Sequence, residues 1–245
     1  RAEIVVADAA DVTPRTMILS GFVGKAFNGV TLRNCRNTGN ISFSSPALYM
    51  IGGFVGAVQE DDGLYTIADC HNTADFDNAG SNSGWNFMGG IAGKTISRQL
   101  VPGETSNYRL IVEECSSTGT ISIAGPSKVR ASGIVAQTQG AYRISGCTFS
   151  GAIESTDATK RDVVIGGIMA MADKECVGLV EGCTFSGRIS AAQAGANNFF
   201  GGIYGNNGGA ASVVNDCRTT ASAYVGCPIG KSVGMLAGRP NKKGF

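Results

Sequence analysis

The stretch ISGCTFSGAIES, residues 144–155, returns 36 residues later as VEGCTFSGRISA, residues 180–191. Both copies keep Gly-Cys-Thr-Phe-Ser-Gly and reach an isoleucine two residues further on. Working outward, four weaker copies appear: LRNCRNTGNIS (32–42), IADCHNTADFD (67–77), VEECSSTGTIS (112–122) and VNDCRTTASAY (214–224). Their cysteines, Cys35, Cys70, Cys115, Cys147, Cys183 and Cys217, stand 35, 45, 32, 36 and 34 residues apart. Every copy has an aliphatic residue three before Cys, Gly or Ala four after it and an apolar residue six after it. A hydroxyl follows three after Cys, as Thr38, Thr73, Thr118, Ser150, Ser186 and Thr220.

Between the cysteine blocks runs a second series: SGFVG, GGFVG, GGIAG, SGIVA, GGIMA, GGIYG and VGMLAG. Its landmarks are Gly21, Gly53, Gly90, Gly133, Gly167, Gly202 and Gly234. Two landmarks in fixed order and nearly fixed phase mark a repeat architecture. Each unit offers three short apolar-alternating runs: at the glycine block, entering the Cys, and after the small residue. So small a unit cannot bury its own apolar side, so successive units must stack, with matching positions about 4.8 Å apart. The expectation is an all-β chain: a single parallel β-helix (β-solenoid) of about seven irregular turns with three short strands per turn. A seven-bladed propeller is the rival, disfavoured because blades ordinarily need about 40–50 residues and four strands.

Composition agrees. Gly makes up 36 of 245 residues, against roughly 7% ordinarily, and charged residues are 16% against about 25%. The net charge of +1 contains no long basic run, so no nucleic-acid partner is expected. No apolar stretch approaches the roughly 18 residues of a membrane span. The sequence opens on Arg1 without a signal-like segment and reads as a mature or trimmed piece.

The repeated positions read first as structure. Residues stacked in one file do not converge on a point, so no metal is expected among the cysteines, and disulfides between turns are awkward. The six are expected to be buried free thiols acting as small hydrophobes; whether Cys176 and Cys227 are free or paired stays open. The hydroxyl file is expected to cap turn amides. The paired glycines are expected to supply positive φ at corners, since no helix follows them to make a phosphate loop.

The pairing of Gly-Gly-aliphatic-x-Gly with Cys-x-x-Ser/Thr-Gly resembles the bacterial GLUG repeat, with GGFVG (52–56) and NCRNTGN (34–40) nearest the family pattern. The resemblance covers residues 21–238. It implies a cell-surface or secreted protein of the bacterial envelope with a role in display or adhesion. It carries no shared catalytic residues.

No catalytic constellation, metal site or cofactor motif is recognisable; His71 reads as a turn residue, and QEDDG (59–63) and DFDNAG (75–80) are incomplete calcium loops. The third unit carries an insertion, residues 94–108, expected to stack beside the loop holding Glu60, Asp61 and Asp62. Functional loops ride on rigid scaffolds, so that edge is the candidate binding site, through Asp61, Asp62, Arg98 and Tyr108. Trp85, the single Trp, is a further candidate in another loop, just before the third glycine block, for stacking on a sugar or covering a strand end. The expected partner is a glycan or a protein of a host or neighbouring cell. The alternatives are a carbohydrate-active enzyme (polysaccharide lyase or hydrolase) and a pure spacer. Residues 1–20 are expected to cap the stack, 21–238 to form it, and 239–245 to be a tail or a truncated continuation.

Overall fold

The computed structural model describes residues 4–6, 16–59, 62–97, 108–125, 128–157, 162–173, 176–192, 197–207, 211–227 and 233–239. It is an all-β parallel solenoid, and no helix occurs among those residues. The strands fall into five parallel sheets of seven, seven, six, six and seven members. One coil runs through all five: Trp85–Gly89, Ala92–Ile96, Leu110–Glu113, Ser116–Ser117 and Thr120–Ile123 occupy the first to fifth stations. The next coil repeats the order, with Trp85 paired to Lys128, Leu110 to Tyr142, Ser116 to Thr148 and Ile121 to Ile153. Six consecutive coils pass through all five stations, and partial coils flank them.

Each coil therefore carries five strands where the sequence suggests three. The glycine-block run is split by a corner, as at Gly53 and Phe54 between Leu48–Gly52 and Val55–Val58. The fourth station is only two residues long, as in His71–Asn72, too short to show a period. Of the expected cap, Ile4–Val6 and Thr16–Ser20 are strands paired into the stack. At the other end Ala237–Arg239 pairs with Tyr204–Asn207, and residues 240–245 lie outside the described part.

The interior consists of files of like residues. Ile41, Phe76, Ile121, Ile153 and Ile189 stack in register in the fifth sheet, almost free of solvent. The file ends on Val225, not on Ala223 as the spacing suggests, because a turn at residues 221 and 222 inserts two residues. Leu32, Ile67, Val112, Ile144, Val180 and Val214 make the matching file in the third sheet.

Between third and fourth stations the chain turns on one residue with positive φ in every coil: Asn34 (55°), Asp69 (51°), Glu114 (52°), Gly146 (61°), Gly182 (60°) and Asp216 (49°). Each directly precedes a repeat cysteine, so this left-handed corner fixes the cysteine's direction. Four cysteines, Cys70, Cys115, Cys147 and Cys183, are buried, while Cys35 and Cys217 at the ends of the file are half-buried; all six are unbridged. The thiols of Cys70, Cys115, Cys147 and Cys183 donate to carbonyls two residues back at 3.2–3.4 Å. Burial pushes the Cys147 thiol well above its ordinary pKa. Cys176 is buried and Cys227 half-buried, both away from this file.

Glu114 is the least suited occupant of that corner, because a β-carbon there costs about 1–2 kcal/mol and Glu lacks the short polar side chain of Asn or Asp. Glu114→Gly is expected to raise stability by roughly 0.5–1 kcal/mol, read as a higher urea midpoint with unchanged slope.

The second glycine of each block meets a different demand from the one expected. Positive φ among the described glycines is confined to Gly29, Gly140, Gly146 and Gly182, so these corner glycines serve close approach instead. A β-carbon on Gly53, Gly90 or Gly167 would sit 2.2, 2.1 or 2.0 Å from the carbonyl oxygen of Gly90, Gly133 or Gly202 in the next coil. On the core side the same β-carbons meet the side chain two residues after the cysteine: Asn37 for Gly21, Asn72 for Gly53, Ser117 for Gly90, Phe149 for Gly133 and Phe185 for Gly167. The two motifs of the repeat thus face each other across the interior. Gly234 pairs with Gly201, which puts Met235 at the corner position that the motif spacing assigned to Gly234.

That inward file changes chemistry along the stack. Asn37 Nδ2 donates to Asn72 Oδ1 at 2.9 Å, and Asn72 and Ser117 follow at 3.5 Å. Higher up Phe149 and Phe185 stack with centroids 6.1 Å apart. Asn37 and Asn72 also cap the corner, accepting from the N–H groups of Gly39 and Ala74 at 3.3 Å. This corrects the role expected of the hydroxyl file: Thr38, Thr73, Thr118 and Ser150 are exposed, and Thr73 Oγ1 donates to a carbonyl.

Candidate functional site

The first and second sheets meet at the glycine corner, and their outer faces turn toward each other. In the first sheet Met88, Ala131 and Ile165 enter the core, so the preceding Phe87, Arg130 and Val164 point outward. In the second, Val58 and Ala172 belong to the core, while the row Ala57, Lys94, Gln137 and Met171 faces out. Outward side chains should be wet, yet Phe87 is 6%, Val164 3% and Gln137 2% exposed. Contacts between the sheets explain this: Lys94 Nζ lies 5.3 Å from the centroid of Phe87, and Arg130 Nη1 lies 3.4 Å from Asp173 Oδ1. The two faces form a concave strip along the solenoid.

Trp85 opens the third-coil strand of the first sheet instead of lying in a loop. The Arg130 guanidinium stacks 4.3 Å from its centroid and 5.6 Å from that of Phe87, within the range of cation–π attraction. Lys128 Nζ is 6.0 Å from the Trp85 ring and 4.0 Å from Asp162 Oδ2. Asp173 Oδ2 accepts hydrogen bonds from the side-chain amides of Gln137 and Gln139. Hence in one short span two aromatic rings, three cations, two carboxylates and two amides are held by strands of adjacent coils.

The polar groups of the strip are incompletely satisfied. Arg130 Nε and Gln137 Oε1 are buried with no hydrogen-bond partner among the described residues. Burial lowers the pKa of Arg130, opposed by the charges of Asp173 and Asp162. Burial likewise lowers that of Lys94, with Asp173 opposing and Arg130 reinforcing the shift. A base whose pKa falls on folding binds fewer protons in the folded state. Stability therefore rises with pH between the folded value and the ordinary 10.5. Lys94→Met is expected to keep the pH 7 unfolding midpoint at or above the parent's, with the gap closing as pH approaches 10.5. A midpoint below the parent's at pH 7 would contradict a desolvated Lys94.

No family model, characterised protein or solved structure matches the chain. The site stands on its own geometry.

The loop edge expected from sequence is described only in part. Asp61 and Arg98 lie outside the described residues, and so do Glu60 and residues 98–107. Asp62 is exposed, and its carbonyl accepts from Arg109 Nη1 at 3.3 Å; Tyr108 is half-buried. Both flank the corner between second and third stations, whereas Trp85 belongs to the strip. The insertion is also shorter than expected. Lys94 to Ile96 are paired strand residues, matched to Gln137, Thr138 and Gln139.

The strip's other members escaped sequence reasoning, although a signal exists. Trp85 and Phe87, Lys128 and Arg130, and Asp162 and Val164 alternate with core residues just before their glycine blocks. Two-residue alternation with bulky or charged outward letters is the mark of a built outer face.

A second depression, an open cleft of about 620 Å³, lies along the cysteine corner and includes Glu113, Glu114, Glu181, Asp216, Arg143 and Arg218. Glu181 Oε1 accepts from Arg143 Nε and Nη2 at 2.8 and 2.6 Å, an intramolecular pairing. His71 Nδ1 stands 2.7 Å from Ser116 Oγ on the same outer side, and the Asp75 carboxylate of the calcium-like segment accepts from the Thr120 N–H at 2.7 Å. Among the described residues no group of three or more His, Cys, Asp and Glu is arranged to hold a metal ion.

Proposed function

We propose that the chain is a non-enzymatic, adhesin-like binding rod of the cell surface or secreted space, whose solenoid presents the concave strip to a glycan or a protein of a neighbouring cell. The observation that carries this reading is the strip itself. Trp85, Phe87, Arg130 and Lys94 are held in a desolvated, concave setting on paired strands. Of these, Trp85 and Lys94 keep part of their surface in water. Concave sites lined by aromatic rings with a few placed polar groups are the usual form of ligand sites. The parallel stack supplies rigidity, because every strand except the two at the ends of each sheet is locked between two others.

The resemblance to GLUG repeats supports a surface role in the bacterial envelope. The test is retention on a panel of immobilised polysaccharides and cell-surface proteins, with the soluble phase assayed for new reducing or unsaturated ends. Retention without cleavage is expected, falling at least fivefold in Trp85→Ala with unchanged circular dichroism. Release of new ends would make the chain an enzyme. Retention indifferent to Trp85 would move the site elsewhere.

A further inference from the structure

The interior is covered along the length of the solenoid and open at its two ends. In the file at the glycine corner Phe54, Ile91, Ile134, Ile168 and Ile203 are fully buried, whereas the outermost members, Phe22 and Leu236, are each 47% exposed. An inward file of the first sheet does the same. Its members from Ile51 to Phe200 are buried, but Leu19 at the lower end is half-buried and Val233 at the upper end is exposed. Ile4 and Val225 end the fifth-sheet file half-buried. Every hydrophobic that packs on the core while keeping part of its surface in water lies in or beside the lowest or uppermost strand of its sheet. Unpaired strand edges backed by an open apolar interior are templates for further strands.

The two ends fit each other. The lower end exposes the fifth sheet one coil below the other four, and the upper end carries the first and second sheets one coil beyond the rest. A second copy set on the upper end in the register of the stack therefore continues three sheets without a break: Ile4–Val6 on Tyr224–Gly226, Thr16–Ser20 on Val233–Gly234 and Val23–Ala26 on Ala237–Arg239. This puts Ile4 over Val225, Leu19 over Val233 and Phe22 over Leu236, each under-covered residue meeting another. The third and fourth sheets stay a strand apart, which separates the exposed Arg36 from the exposed Arg218. Backbone pairing continues as well. The N–H groups of Phe54, Ile91, Ile168 and Ile203 donate to the carbonyls of Ile91, Ile134, Ile203 and Leu236 one coil up, at 3.0–3.1 Å. The same step carries the Leu236 N–H to the Phe22 carbonyl of the copy above. We infer that the protein associates head to tail, the lower end of one copy on the upper end of the next, through the sector around the glycine corner. The contact is heterologous, so it builds open rods. It is independent of the strip and of what the strip binds.

The test is sedimentation velocity of the full chain over a wide concentration range. The mean mass is expected to rise at least about twofold, with no plateau at a fixed oligomer. Lys25 of the upper copy stands over Arg239, a like-charged step, so association should strengthen with salt. Phe22→Lys and Leu236→Lys each block one end, and each alone should stay monomeric. Their equimolar mixture should form dimers and stop there, because the intact upper end of Phe22→Lys meets the intact lower end of Leu236→Lys. Circular dichroism checks that both variants fold, and Phe22→Asn and Leu236→Asn replace a lysine variant that does not. A parent that is monomeric throughout would overturn the inference. So would association that weakens with salt, or a mixture that stays monomeric while the parent associates. Dimers of either single variant would mean that like ends meet each other, which would overturn the head-to-tail arrangement.

Discussion

Gly167→Ala is expected to destabilise the solenoid by about 3 kcal/mol, at the upper end for overpacking. The added β-carbon would stand 2.0 Å from the Gly202 carbonyl oxygen in the coil above and 2.5 Å from Cδ2 of Phe185. One obstacle is backbone and the other a buried ring, so neither can retreat without shifting a coil. Gly182→Ala is the comparison. Gly182 has φ of 60° but open space, its nearest neighbour being the Gly146 nitrogen at 3.8 Å. There only the left-handed backbone resists, at about 1–2 kcal/mol. Urea midpoints of the two variants decide the matter, and a Gly167→Ala cost below that of Gly182→Ala would mean that the coils do not touch as described. The natural contrast is Met235, which occupies the corresponding corner above Gly202, where no further strand is stacked among the described residues.

Phe185→Ala is expected to cost about 3–5 kcal/mol, the usual range for deleting a buried ring. Phe185 is fully buried, stacks on Phe149 and fills the space that Gly167 and Gly202 leave by lacking side chains. With both neighbours held by interstrand hydrogen bonds, the site cannot collapse onto the cavity. Thr184→Ala, one residue earlier on the outward side, should stay within about 0.5 kcal/mol. Similar losses at both positions would contradict the inward assignment of Phe185.

These two sites show how far the letters carry. The stacked repeat is legible because Ile or Phe six after the cysteine and glycine at the corner recur with little change. The partner of the corner glycine is not, because the file facing it reads Asn37, Asn72, Ser117, Phe149, Phe185 and Thr219. Chemistry varies there while direction is conserved, so alignment on like residues passes over it. The left-handed corner was similarly hidden: Asn34, Asp69, Gly146, Gly182 and Asp216 are the residue types that tolerate it, but Glu114 interrupts the pattern. The strip was half legible. Trp85 stands out as the single Trp, whereas Arg130 and Asp173 come together only through the angle between two sheets, which is a tertiary property.

The stacking itself is tested most directly by residue-resolved thiol labelling of the native protein under mild conditions. Cys70, Cys115, Cys147 and Cys183, closed in by coils on both sides, should stay unmodified until global unfolding, while Cys35 and Cys217 at the ends of the file react first. Rapid modification of the four inner thiols, with the circular dichroism of the fold intact, would contradict a shared interior.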